Sequence, residues 1–214
     1  MQGMRVASVN VGVAETIRRG DQEIRTGIRK QSVAGSVPIH RDGVGDDVIC
    51  NTVHHGGPDQ AVYVYGTTDY EWWSAELGVT LEPGRFGENL TIDGLPGDMN
   101  VGDRLLIGSV ILEATSPRIP CATLAAELGD SGFGLRFRQA ERPGFYFRVL
   151  NDGEVAAGDG ITLIEDESST VSMLELFRLR YVPSPGKATL ERVLEVPLAE
   201  RMRDQFRAKL DTLR

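Results

Sequence analysis

Cysteine is nearly absent from this chain: Cys50 and Cys121 are the only two in 214 residues, far apart and in no Cys-x-x-Cys pair. That excludes a disulfide scaffold, a thiolate zinc site and an iron–sulfur ligand set. A metal bound through thiolate would take a single sulfur ligand from this chain. Long hydrophobic runs are also missing. No stretch approaches the ~18 apolar residues of a membrane span, and Met1-Gln2-Gly3-Met4-Arg5 opens no apolar signal region. The expected setting is the cytoplasm, with reduced thiols. Lysine is scarce: Lys30 is the only one before residue 187. The net charge of −8 argues against sequence-independent nucleic-acid binding and against a polybasic membrane face.

Glycine and charge are unevenly spread. Of 25 glycines, 24 lie within residues 1–166; those residues carry 14 basic and 24 acidic side chains, against 9 and 7 in 167–214. This break predicts two domains, 1–166 and 167–214, joined near Asp166-Glu167-Ser168-Ser169. The first reads as strands and turns. Arg104–Ile107 and Val110–Glu113 flank Gly108-Ser109, a type II′ hairpin signal. Ala61–Tyr65, Phe145–Leu150 and Ile161–Ile164 are further strand candidates. A helix is expected over Thr68–Leu77 and a short one before Arg142-Pro143-Gly144. Without a repeated βαβ rhythm, the expectation is a mainly β protein: a mostly antiparallel β-barrel with a few helices. The tail predicts a small α-helical domain of three helices. Ser172-Met173-Leu174-Glu175 has capping-box form, Ser184-Pro185 offers an N-cap with proline at the first helical position, and Pro197 can open the third. Leu198, Met202, Phe206 and Leu210 then form one apolar stripe.

Common catalytic signatures fail. Gly43-Val44-Gly45 lacks the third glycine of a dinucleotide fingerprint, and no phosphate-binding GxxxxGK[ST] occurs. Gly129–Phe133 misses GxSxG at its last position, and HExxH is absent. Three segments remain. His54-His55-Gly56-Gly57-Pro58-Asp59 joins two histidines to a glycine backbone that a ligand can approach closely. On extended backbone the two rings point to opposite faces, which suits a shared metal poorly; a zinc hydrolase using His54 or His55 stays as a minor reading. Ser116-Pro117-Arg118-Ile119-Pro120-Cys121 places a thiol three residues after a guanidinium, and its prolines argue against a central strand. The cation favours thiolate, the form that binds soft metals or attacks electrophiles. In Arg85-Phe86-Gly87-Glu88-Asn89-Leu90-Thr91, Glu88 and Asn89 suit either a hairpin turn or a pocket wall. Cys50, within the β-branched Val48–Val53, reads as a half-buried strand residue.

Together these segments resemble the MOSC family, the domain named after the C-terminal part of molybdenum cofactor sulfurase, and in particular its YiiM-like bacterial branch. The matching strings are Gly43–Asp46, His55–Tyr63, Phe86–Leu90, Gly102-Asp103, Pro117–Cys121 and Gly144–Leu150. They run in family order over residues 1 to about 165, and the tail is similar to the branch's three-helix extension. The resemblance implies a MOSC-type β-barrel binding the molybdenum cofactor (molybdopterin), with Cys121 as metal ligand and catalytic centre. For the cofactor and its phosphate the candidates are Arg29, Lys30, His55, Gly56, Gly57, Glu88, Asn89 and Arg118. Related proteins, among them the mitochondrial amidoxime-reducing component, reduce N-hydroxylated bases and amidoximes. The implied activity is therefore a reductase of N-hydroxylated compounds. The alternative is a molybdopterin-binding or sulfur-carrier module without small-molecule turnover. With no flavin or iron–sulfur motif, a reductase would draw electrons from a separate protein. The tail, more basic than the acidic barrel, is expected to pack on it, to form a homodimer, or to meet an acidic electron donor.

Overall fold

The computed structural model describes residues 3–53 and 55–213. Its main sheet has eight strands in the order β13-β9-β10-β11-β7-β8-β1-β4. These are β1 (Arg5–Gly12), β4 (Lys30–Ser32), β7 (Val62–Gly66), β8 (Leu90–Asp93), β9 (Arg104–Ile107), β10 (Val110–Pro117), β11 (Phe145–Asn151) and β13 (Ile161–Ile164). All neighbours are antiparallel except β7 and β8. A parallel pair needs a crossover, and helix α1 (Thr67–Leu77) supplies it. The expected hairpin is present: Ile107 pairs with Val110, Gly108 has φ +56°, and Ser109 keeps negative φ, as a II′ turn requires.

The barrel is less closed than expected. Its ends meet where Met4–Val6 exchanges backbone hydrogen bonds of 2.8–2.9 Å with Gly158–Ile161, but no full strand pair seals the seam. Two smaller units flank it: β5 (Val37–His40), β6 (Gly43–Val44) and β12 (Gly153–Val155) form a three-stranded sheet, and β2 (Glu15–Arg19) with β3 (Gln22–Thr26) forms a hairpin.

The core has two parts. Strand residues such as Val9, Val62, Leu90, Leu105 and Leu112 are fully buried in one cluster with Leu176, Leu190, Val193 and Phe206 of the tail. The tail therefore packs on the barrel through apolar contact, which a difference in net charge alone would not predict. The second cluster is aromatic. Trp73, Phe86, Phe133 and Phe137 interlock there, and the Trp73 indole donates to the Tyr65 hydroxyl at 2.8 Å. It lies under α1, α2 (Ala122–Glu127) and α3 (Phe133–Ala140), the last being the short helix expected before Arg142.

In the tail, α4 (Met173–Arg180) begins as expected: the Ser172 hydroxyl accepts from the Glu175 N–H at 3.2 Å. Two other starts are corrected. Helix α5 (Lys187–Glu195) has Gly186 as N-cap, and α6 (Glu200–Asp211) has Ala199. Pro185 is buried ahead of its helix, and the Pro197 carbonyl is held by Arg148 at 3.1 Å, so both prolines anchor the connections and open no helix. Met202, Phe206 and Leu210 form the buried face of α6, with Leu198 buried just before it. No helix among the described residues is long and apolar enough to cross a membrane.

Candidate functional site

The segment Ser116–Cys121 leaves the middle of the sheet. Against expectation, Ser116 and Pro117 end a central strand: they pair with Tyr146 and Phe145 of β11. Proline is tolerated there because β9 stops opposite Glu113, so the missing N–H faces no ladder partner. Beyond it, Arg118 turns inward and is 3% exposed. Its Nη1 donates to the Phe86 carbonyl, and its guanidinium lies 4.9 Å from the Tyr63 ring centroid. Nε is buried without a partner, and among the described residues no carboxylate pairs with this cation. Cys121 follows in extended conformation (φ −119°, ψ 161°), at the N-cap of α2.

Burial alone would raise the Cys121 thiol. The side-chain hydrogen bond with His55, the charge of Arg118 and the Leu124 N–H outweigh it and bring the group down to about 6. At neutral pH the sulfur is a thiolate. In the ligand-free protein, alkylation of Cys121 by iodoacetamide should therefore follow a titration centred near 6, against ~8.5 for a free cysteine. A profile centred above pH 8 would show that His55 and Arg118 do not act on the sulfur. The sign also holds for stability: a depressed thiol pKa stabilises the fold at alkaline pH, and the contribution fades as pH falls from ~8.5 through the folded value.

Cys121 opens onto a cavity of about 490 Å³. One wall is the aromatic pair Tyr63 and Tyr146, ring centroids 4.9 Å apart. The opposite side is the strap Asp47–Val53 with His55 and Gly56, and the β2–β3 hairpin brings Arg19, Ile24 and Arg25 to the edge. Glycine brings the strap close. A Cβ on Gly27 would lie 1.9 Å from the Val48 carbonyl oxygen, and Gly56, at φ +69°, packs its backbone against Ile49. Lys30 and Asn89 complete the wall, both tied to Asp47. The Lys30 ammonium meets both oxygens of that carboxylate, Asn89 Nδ2 donates to it at 2.9 Å and the Gly12 N–H at 2.7 Å. Burial lowers the Lys30 pKa and Asp47 opposes the fall.

The structure thus gathers Cys121, Arg118, Lys30, His55, Gly56 and Asn89 around one cavity. Three other candidates lie apart. Glu88 is fully buried away from the cavity wall, where its Oε1 accepts from the Gly84 N–H, Tyr70 hydroxyl and Thr91 hydroxyl at 2.6–2.7 Å. Burial raises its pKa despite those donors. Arg29 turns outward, its Nε and Nη2 forking onto Glu127 at 2.9 Å and its Nη1 reaching Glu15 at 3.3 Å. Gly57 faces a separate small cleft beside α6. Cys50 also departs from expectation. It is exposed, in irregular chain at the cavity wall, because Asp47 and the Val48 N–H fasten the strap to Gly12 and no neighbouring strand pairs with it. His54 lies outside the described residues.

Sequence reasoning missed Asp47, although it follows directly on the Gly43–Asp46 string. It also gave no role to Tyr63 and Tyr146, which sit inside two of the matching strings, or to Arg19 and Arg25. Among the described residues no three His, Cys, Asp or Glu side chains converge on one point, so a metal at Cys121 would have to arrive carrying most of its own ligands.

Comparison with known proteins agrees with this architecture. The MOSC domain matches residues 51–162 and the YiiM-like, 3-alpha helix domain matches residues 171–213. Bacillus subtilis (strain 168) protein YflK is 34% identical over 210 residues, covering 97% of this chain and 95% of that one. Escherichia coli (strain K12) protein YiiM is 28% identical over 141 residues, 64% of this chain and 63% of its own. A Gibberella moniliformis protein named reductase is 30% identical over 194 residues, 88% of this chain but 34% of its own length. The crystal structure of YiiM from Geobacillus stearothermophilus superposes with a TM-score of 0.81 at 27% identity, covering 97% of this chain and 99% of that one. The chain belongs to the MOSC domain family, in the form that carries the YiiM-like three-helix domain at its C-terminal end.

Proposed function

We propose that this protein is a molybdenum-cofactor-dependent reductase of N-hydroxylated compounds, such as 6-hydroxylaminopurine or amidoximes, working in the cytoplasm with electrons from a separate donor protein. The observation that carries this reading is the Cys121 thiolate at the wall of a cavity whose nearest cation, Arg118, is buried with an unpartnered Nε. A buried guanidinium is costly unless an anion and acceptors complete it; here the Cys121 sulfur is the anion, and the Nε–H is left without an acceptor. The donor set fits the cofactor on that ground: one soft anionic ligand, a buried guanidinium that faces the Cys121 sulfur and keeps one N–H unpartnered for a further acceptor, and an aromatic wall for a flat ring system.

Converting R–NHOH to R–NH2 and water consumes two electrons and two protons. The two-electron chemistry, which side chains alone do not provide, is what the cofactor would supply when bound. This chain's own residues would bind and orient. Cys121 would hold the metal through Sγ. Arg118 would receive an anionic group from below the aromatic pair, and Tyr63 and Tyr146 would set the plane of a flat ligand. His55, which lines the same cavity as Cys121, would donate or accept a hydrogen bond to a ligand there. Lys30 serves differently from expectation: with Asp47 bound, its charge is already matched.

The relative named reductase supports an enzymatic role. The test is direct. Protein loaded with the cofactor and given an artificial reductant should convert 6-hydroxylaminopurine or benzamidoxime to the amine or amidine. Molybdenum retained by Cys121 with clean failure across several N-hydroxylated substrates would overturn the reductase reading and favour the carrier.

A further inference from the structure

The loop that carries His55 has little structure of its own. Among the described residues of 51–57 there is neither helix nor strand, and Gly56 and Gly57 follow each other at φ +69° and +86°. Within the segment the His55 N–H reaches the Asn51 carbonyl at 3.0 Å, and the Gln60 N–H reaches the Gly57 carbonyl at 2.9 Å. A further set of contacts comes from outside. Arg201, in the first turn of α6, donates from Nη1 to the Gly56 carbonyl at 2.7 Å and to Gln60 Oε1 at 2.8 Å. From Nη2 it donates to the Thr52 carbonyl at 2.8 Å and the His55 carbonyl at 3.4 Å. One rigid fork thus collects three loop carbonyls and the Gln60 side chain of the Pro58–Gln60 turn that follows the loop.

The base of that fork is itself fixed. The Glu200 N–H donates to Asp59 at 2.9 Å and the Ala199 N–H to Thr115 at 3.1 Å, while Arg148 of β11 holds the Pro197 and Leu198 carbonyls at 3.1 Å. Met202 and Phe206 are buried behind it. An arginine kept only for charge would need none of this convergence.

We propose that Arg201 is a positioning residue for the Cys121 site: through it the three-helix tail fixes the loop that carries His55 and Gly56 at the wall of the cavity that Cys121 lines. This rests on the reading that Cys121 is the working thiolate, and it gives the tail a part in that site.

The experiment uses the full chain without cofactor. Cys121 alkylation by iodoacetamide is followed at pH 6 by peptide-resolved mass spectrometry, together with amide hydrogen exchange over residues 51–57. Arg201→Ala should slow alkylation on the order of five-fold, because the released loop no longer keeps His55 at the cavity wall beside Cys121. It should also speed exchange in the loop. His55→Ala should slow alkylation at least as much, and the double variant should be no slower than His55→Ala alone, since the two act in series. Added guanidinium ion should restore the rate in Arg201→Ala and leave His55→Ala unchanged. Arg201→Lys keeps the stem and charge without the fork and should show a smaller version of the same loss, which covers a failure of the alanine variant to fold. A folded Arg201 variant alkylated at the wild-type rate, or effects that multiply in the double variant, would overturn the proposal. Because no metal is present, these outcomes are independent of whether Cys121 ligates molybdenum.

Discussion

If the proposed function holds, Cys121→Ser should yield a folded protein that takes up no molybdenum on cofactor loading and falls several orders of magnitude below wild type in the reduction of N-hydroxylated compounds. Serine matches the size of cysteine, and at this site the side chain sits partly exposed on a loop stiffened by Pro117 and Pro120, so the fold should hold. What is lost is the soft ligand. A serine hydroxyl keeps its proton at neutral pH, whereas the thiol here is pushed down to about 6. Cys50→Ser is the matched control. Cys50 is exposed in irregular chain, and its replacement should change stability by no more than ~0.5 kcal/mol while metal content stays at the wild-type level. Metal analysis, activity and thermal midpoint of both variants decide the matter. Full molybdenum retention by Cys121→Ser would remove the foundation of the proposed function.

The way Cys121 and Cys50 sort themselves shows where the sequence is readable. Cys121 is marked by its own neighbours, an arginine three positions back and two prolines, and those short-range features survive folding. Cys50 lies in a β-branched run that would suit a strand, but a strand needs an unpaired neighbour, and none borders the strap. Strands bounded by glycine or asparagine turns, such as β7, β10 and β11, were legible for the same local reason. Strand β1 was not: a register shift between Val6 and Ser8 interrupts its alternation, so its period is broken in the sequence. Helix α2, six residues long, is too short to show a period at all. At the site, the residues inside contiguous motifs were found. Asp47 and Arg201 were not, because their meaning depends on partners 17 and 145 positions away. Arg29 and Lys30 make the same point in adjacent positions. Two neighbouring cations read alike in sequence, yet one side chain turns out to Glu127 and the other in to Asp47.

The Lys30–Asp47 pair should produce the largest stability effect of any single substitution at the cavity. Both side chains are nearly fully buried, at 6% and 5% exposed, and burial already lowers the Lys30 pKa while Asp47 opposes the fall. Asp47→Asn keeps the shape and leaves an acceptor for the Gly12 N–H, but it strands an ammonium in the wall. Breaking one side of a buried pair costs about 3–5 kcal/mol, which for a chain of this size lowers the thermal midpoint by roughly 10 °C. Removing both charges, in Lys30→Met with Asp47→Asn, should recover most of the loss, since the desolvation of two ions disappears together with their attraction. The pH dependence has a definite sign. In Asp47→Asn the folded state holds Lys30 below its unfolded pKa, so the unfolded chain binds more protons and stability must rise with pH, up towards the ~10.4 of exposed lysine. Wild type should show a shallower slope of the same sign, because Asp47 opposes the effect of burial on Lys30 without cancelling it. Chemical denaturation of the three proteins at pH 7 and pH 9 reads all of this. A single-variant loss below ~1 kcal/mol, or a double variant no better than Asp47→Asn, would show that Lys30 is free to meet an anion in the cavity and that Asp47 is not its counter-charge.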